Sequence, residues 1–174
     1  MFYLAGWEEN IVKKWKEFGL TSLRENAWYW APMAIGTAEV RPIDLMQAYS
    51  VLANAWVRKD VYFIEKIEDA DGNTIEEHKK DSPGVEVLSP AASYIVTKIL
   101  AAGEARPSAF WRNALTIAGR TVAAKTGTSN KDVSGGAGKP KSILPRDLWT
   151  AGYSPQITTV VWAWNVNGKE TKWT

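Results

Sequence analysis

Lys125-Thr126-Gly127-Thr128 puts a cation, two hydroxyls and a bare stretch of backbone into four consecutive residues. The lysine can orient a carboxylate or polarise a hydroxyl. Thr126 and Thr128 add hydroxyl donors. Gly127 has no side chain, so an extended peptide can lie against the chain there and pair with it as an added strand. The backbone N–H of Thr128 is a candidate donor to an oxyanion. These are two requirements of acyl transfer, a handle for the substrate and an oxyanion pocket; the other two are an activated nucleophile and a base. There is no cysteine to serve as a thiol nucleophile. None of Ser22, Ser50, Ser82, Ser89, Ser93, Ser108, Ser129, Ser134, Ser142 and Ser154 has a lysine three places on or an asparagine two places on. The chain holds one wall of a site without its nucleophile.

The elements that must position this wall follow from pattern. Val122-Ala123-Ala124 is an apolar lead-in, and Thr121–Lys125 reads as a strand. Asp147–Tyr153 and Ile157–Asn165 read as two more, joined through Ser154-Pro155; Val160-Val161-Trp162 suggests a strand covered on both faces. Between them, residues 129–146 are rich in Gly, Pro, Ser and Lys and are expected to form a flexible loop. Upstream, Glu8–Phe18 reads as a helix with Ile11, Val12, Trp15 and Phe18 on one face and Gly19 as its stop. Residues 21–36 are loop-like. Pro42 suits a first helical turn, and Leu45, Met46, Tyr49, Leu52 and Ala53 recur at helical spacing through Asn54, a stripe for core packing. Asp71-Gly72 between Val61–Glu68 and Asn73–Glu77 signals a hairpin. Ser89-Pro90 opens a helix whose expected buried face is Ala92, Ile95, Val96, Ile99 and Leu100, ending at Gly103. His78, the single histidine, sits in a charged stretch and reads as a surface residue, neither a metal site nor a base.

With 174 residues, 45% of them hydrophobic, the chain can bury a core and amounts to one domain or a large piece of one. The net charge of +2 is dispersed, so no nucleic-acid partner is indicated. The lack of cysteine rules out a disulfide framework and a thiolate metal site. No apolar run reaches the ~18 residues that span a bilayer, and the N-terminus lacks a signal-peptide pattern.

Alone, Lys-Thr-Gly is weak, since three fixed residues occur by chance in a chain this long at roughly 4%. Its neighbours are more specific. Gly36-Thr37-Ala38-Glu39-Val40-Arg41-Pro42, Met46 through Asn54, Ala114 through Arg120, Val122 through Asn130, and Asp147 through Pro155 occur in the order found in penicillin-binding proteins. The chain resembles their transpeptidase domain, closest to the bifunctional class that joins a glycosyltransferase to a transpeptidase. The resemblance implies an α+β fold, an antiparallel sheet of about five strands with helices on both faces, part of the serine β-lactamase/penicillin-binding transpeptidase fold. It implies that residues 1–174 are the C-terminal portion of one such domain, cut at both ends. It implies acyl transfer from a D-Ala-D-Ala stem peptide of peptidoglycan through a serine acyl-enzyme, with β-lactams trapped on that serine. Lys125, Thr126, Gly127 and Thr128 would bind the substrate, and Lys125 and Thr128 would act in catalysis, Thr128 through its N–H. No cofactor or metal is implied. The parent protein would be membrane-anchored and work at the extracytoplasmic face of the bacterial cell membrane. The missing N-terminal part of the domain and a glycosyltransferase domain would be its neighbours. Alone, the chain is expected to be inactive. The alternative is a non-catalytic module of the same build that binds peptidoglycan or a division partner.

Tryptophan, ten of 174 residues, is several times commoner than usual. Trp30, Trp56 and Trp164 fall where similar sequences carry a turn glycine, and the largest side chain is a poor substitute for none. They are expected to be glycine codons of the source organism written as tryptophan. Trp111 and Trp149 fit their surroundings as packing residues.

Overall fold

The structure, a computed structural model, describes residues 6–24, 29–79, 83–106, 108–133, 142–169 and 171. Helix α1 is Trp7–Glu17. Glu8 and Glu9 in its first turn and Lys14 and Lys16 in its last suit the helix dipole. The carboxylate of Glu8 also accepts the N–H groups of Tyr29 and Trp30 at 2.6 and 3.3 Å, tying the following loop to the helix start. Gly19 ends the helix at φ 100°, and a Cβ there would sit 2.4 Å from Cγ of Gln47. Only glycine meets both demands. A 3₁₀ turn at Ala31–Ile35 leads toward helix α2, Pro42–Ala53.

Val12, Leu20, Leu23, Met33 and Ala48 form the core between α1 and α2, with Ile11, Trp15 and Phe18 packed against them. The face expected for α1 is therefore the one it buries. For α2 the stripe is different. Asp44, Gln47, Ala48 and Val51 are buried, while Leu45, Met46, Tyr49, Leu52 and Ala53 are half-buried. The helix is enclosed on several sides, by the core cluster on one and the sheet on another, so a single apolar stripe does not describe it. Its buried polar groups are matched. Asp44 accepts from the Ser22 N–H at 2.9 Å and from Arg41 at 2.8 and 3.2 Å, and Gln47 donates to the Lys59 carbonyl at 2.7 Å.

After α2, β1 (Val57–Arg58) pairs with β4 (Val85–Glu86), and β2 (Lys66–Glu68) pairs with β3 (Thr74–Glu77) around the Asp71-Gly72 turn. Asp69 organises that turn, accepting from the N–H groups of Asp71 and Asn73 and from the Asn73 amide. Residues 61–65 stay outside the strands. His78 is half-buried rather than on open surface, its ring stacked 3.6 Å from that of Tyr62.

Helix α3 is Pro90–Ala101, capped as expected by Ser89, whose hydroxyl accepts from the Ala92 N–H at 3.3 Å. Of its expected buried face, Ala92 and Leu100 are half-buried and the other three are not. Ile95 and Ile99 are 56% and 66% exposed, Val96 is exposed, and Ser93 is the residue turned inward. Ser93, Thr97 and Leu100 make the stripe that turns inward, and the isoleucines stay largely exposed. A short helix α4, Ala109–Ala114, follows.

The chain closes with an antiparallel sheet in the order β5–β6–β7: Ala123–Val133, Ser142–Tyr153 and Thr158–Ala163. The loop expected over 129–146 is shorter than that. Residues 129–133 and 142–146 continue the β5–β6 ladder as far as Val133↔Ser142, with one irregularity between Ser129 and Asn130, and residues 134–141 lie outside the described residues. Ser129, Asn130, Lys131, Asp132 and Pro145 are poor strand formers, and pairing in the ladder overrides that local preference. Thr158, Val160 and Trp162 are half-buried, whereas Thr159, Val161 and Ala163 are exposed, so β7 is covered on one face only. Helices α2 and α3 lie on that face. The ring of Tyr49 meets that of Tyr153 edge-on at 6.1 Å, and the hydroxyls of Thr97 and Tyr153 are 2.8 Å apart. The described residues thus form an α+β arrangement with three strands in the main sheet.

Candidate active site

Lys125, Thr126, Gly127 and Thr128 lie in the middle of β5. Because β5 pairs with β6 alone, it is an edge of the described sheet. An edge strand turns every second N–H and C=O away from the sheet, ready for an incoming chain. The register divides the four residues. Lys125↔Ala151 and Gly127↔Trp149 share the face of Ala123↔Tyr153, on which α2 and α3 pack. Thr126↔Thr150 and Thr128↔Leu148 share the opposite face. The strand therefore carries the cation on the helix side and both hydroxyls on the other, with the free edge between them.

Lys125 is exposed, and its ammonium donates to the carbonyl of Thr126 at 2.6 Å. Gly127 has an ordinary strand backbone, and a Cβ added there would meet only Cβ of Trp149, at 3.5 Å, a normal contact. Nothing within the described residues requires glycine at this position.

Two further residues brace the edge. Ser129 donates to Oδ2 of Asp147 at 2.5 Å and accepts from the Asp147 N–H at 3.2 Å. Oδ1 of Asp147 accepts from the Trp162 indole at 3.2 Å. Asp147 on β6 thus links β5 to β7. Beside it Trp149 stacks on Trp162 at 5.2 Å, and Trp162 on Trp164 at 3.8 Å. Ser129 and Asp147 were not singled out by motif; the signal was there in the strand pairing, which places them opposite each other once β5 is known to run past residue 128.

A cavity of about 550 Å³ opens elsewhere, between Arg24, Tyr29, Glu39 and Arg41, and a second of about 340 Å³ lies between Phe63, Glu76 and His78. Neither is lined by residues 125–128. The second wall of a cleft beside Lys125 is not supplied by the residues around these cavities. Among the described residues no group of three or more His, Cys, Asp and Glu could hold a metal ion, and no helix is long and apolar enough to cross a membrane.

Comparison with known proteins gives one answer. The sequence model of the family "Penicillin binding protein transpeptidase domain" matches residues 6–174. Penicillin-binding protein 1A of Aquifex aeolicus is 32% identical over 158 residues, which are 88% of this chain and 18% of that protein. Penicillin-binding protein 1A of Mycolicibacterium smegmatis is 30% identical over 137 residues, 78% of this chain and 16% of that protein. The chain therefore spans less than a fifth of the length of these relatives. Among solved structures, the penicillin-binding protein PonA1 of Mycobacterium tuberculosis superposes with a TM-score of 0.76 at 24% identity, covering 98% of this chain and 44% of that one. The same protein in complex with penicillin V gives a TM-score of 0.73 over 95% of this chain and 43% of that one.

Proposed function

The chain belongs to the penicillin-binding protein transpeptidase domain family, and from that premise we propose that it is the substrate-strand part of a peptidoglycan D,D-transpeptidase. The observation that carries this reading is the placement of Lys125-Thr126-Gly127-Thr128 on the open edge of β5. A stem peptide ending in D-Ala-D-Ala is extended and carboxylate-terminated, the shape and charge such an edge accepts. It docks as an added strand along β5. Lys125 draws in the carboxylate side, Thr126 and Thr128 donate hydroxyls to it, and Gly127 lets the peptide approach the backbone. The Thr128 N–H supports the oxyanion as a serine outside this chain attacks the D-Ala carbonyl. The serine–carbonyl bond forms, the terminal D-Ala leaves, and an amine from a neighbouring strand then takes the acyl group and frees the serine. A β-lactam enters the same edge and is held as the acyl-enzyme.

The serine, its lysine and the S-x-N motif belong to the N-terminal part of the domain, which also supplies the facing wall of the cleft. The whole protein is of the bifunctional class, anchored in the bacterial cell membrane with this domain outside the cytoplasm and a glycosyltransferase domain on the same chain. Fluorescent penicillin tests the reading. The full-length protein is expected to be labelled covalently on a serine upstream of residue 1. No labelling of the folded, full-length protein would favour the non-catalytic module that binds peptidoglycan or a division partner.

A further inference from the structure

Residues other than glycine seldom adopt φ between +20° and +160°, and for a bulky one that conformation is a true outlier. Among the described residues four non-glycines do so: Trp7 at 72°, Trp30 at 57°, Ala55 at 51° and Trp56 at 71°. Three of the four are tryptophan, a residue that makes up ten of 174. The three occupy three different junctions. Trp7 follows Gly6, itself at φ 77°, so two successive left-handed residues start α1. Trp30 precedes the Ala31–Ile35 turn with ψ −179°, a corner of the map open essentially to glycine alone. Trp56 follows Ala55, itself at φ 51°, in the tight reversal after α2, where the Trp56 N–H bonds to the Val51 carbonyl at 2.8 Å; glycine ordinarily takes the Ala55 place in such a closure, and Trp56 adds a second successive left-handed residue.

Trp7 and Trp30 are also mostly exposed, at 62% and 64%. The other described tryptophans behave differently. Trp15 packs on the core, and Trp149, Trp162 and Trp164 stack on one another. None of them has positive φ. Among the tryptophans whose side chains are described, one group packs or stacks in ordinary backbone and another sits in glycine backbone.

We infer that residues 7, 30 and 56 are glycine in the protein as its own cells make it, from a codon that those cells read as glycine and that appears as tryptophan here. Trp7, which sequence alone did not single out, joins the set. Trp164 is left out, because its φ is not positive. The inference is independent of the transpeptidase reading, since it uses backbone geometry and exposure and no property of the site.

Peptide mass spectrometry of the protein isolated from its source cells decides the matter. Glycine is expected at 7, 30 and 56; tryptophan at any of the three overturns the inference. A second measurement addresses the strain. In the full-length recombinant protein, W7G/W30G/W56G is expected to raise the unfolding temperature of this domain by several degrees, whereas W15G, which empties a core position, lowers it. An unchanged or lowered temperature for the triple variant would overturn the strain argument.

Discussion

Asp44 and Lys125 are charged residues in opposite circumstances. Asp44 is 5% exposed and surrounded by donors: the Ser22 N–H, the Thr21 hydroxyl and two nitrogens of Arg41. Burial pushes its pKa up, but the Arg41 guanidinium and the Ser22 bonds outweigh that and hold it below the usual aspartate value. Lys125 lies exposed on an edge strand with a neighbouring carbonyl as its partner. The charge of Asp44 is wholly engaged in holding α2 to the loop before it. The charge of Lys125 does little for the fold and is available to a ligand.

The contrast is sharpest if each residue is removed. Lys125→Ala in the full-length protein is expected to slow acylation by fluorescent penicillin by about 10²–10³-fold, as for loss of one group that supports the reacting centre, with the unfolding temperature unchanged. Equal labelling rates would take Lys125 out of the site. Asp44→Ala should do the reverse. It leaves the Ser22 N–H without its acceptor, while Arg41, 60% exposed, turns to water, and is expected to cost about 2 kcal/mol in denaturant unfolding, the penalty of unmade hydrogen bonds at a buried carboxylate, while the fraction that remains folded is labelled at the normal rate. The pH dependence follows in sign. The folded-state pKa of Asp44 is depressed, so its contribution is complete above the unfolded value of about 4 and is lost as pH falls through the lower folded value. An acid titration of stability should therefore be flatter for Asp44→Asn than for the parent.

Gly127 tests the recognition side at smaller scale. Its missing Cβ is not needed by the fold, since the nearest atom would be an ordinary 3.5 Å away. Gly127→Ala should leave stability within about 0.5 kcal/mol or raise it slightly, by restricting the unfolded chain. Acylation should fall roughly tenfold if a peptide must lie against this backbone, a loss of about 1.4 kcal/mol. A variant as fast as the parent would mean that the edge at 127 stays empty during the reaction.

Local pattern was enough for the elements whose signals are local. Pro42 and Ser89-Pro90 mark the starts of α2 and α3 to the residue, and Asp71-Gly72 marks the β2–β3 turn. It was not enough for faces. The isoleucines of α3 read as core because an apolar stripe tells that a helix wants cover, not that the described residues supply it. Asp44 and Gln47 fall outside the apolar stripe read for α2, because pattern cannot see a donor brought from residue 22 or an acceptor brought from residue 59. The Lys-Thr-Gly segment was legible as a strand by its apolar lead-in. That it forms an edge, that its cation and hydroxyls point to opposite faces, and that it continues to Val133 are properties of pairing with β6.

Asp147 stands between the two extremes and gives the smallest predicted effect. Its carboxylate is not part of the edge, yet it holds Ser129, one residue beyond Thr128, to Trp162 two strands away. Asp147→Asn keeps the shape and the bond to one partner but loses the charge that strengthens both. The expected cost is about 1 kcal/mol in stability, and about a fivefold slower acylation if the position of Thr128 depends on this brace. The two effects separate by rescue. Asp147→Glu restores the charge at a longer reach, so it should recover stability in part without recovering the rate, because the oxyanion donor has to be placed to within a fraction of an ångström while the fold tolerates more. If stability falls and acylation does not change, the brace serves the sheet alone, and the edge at Lys125–Thr128 is held by β6 without help.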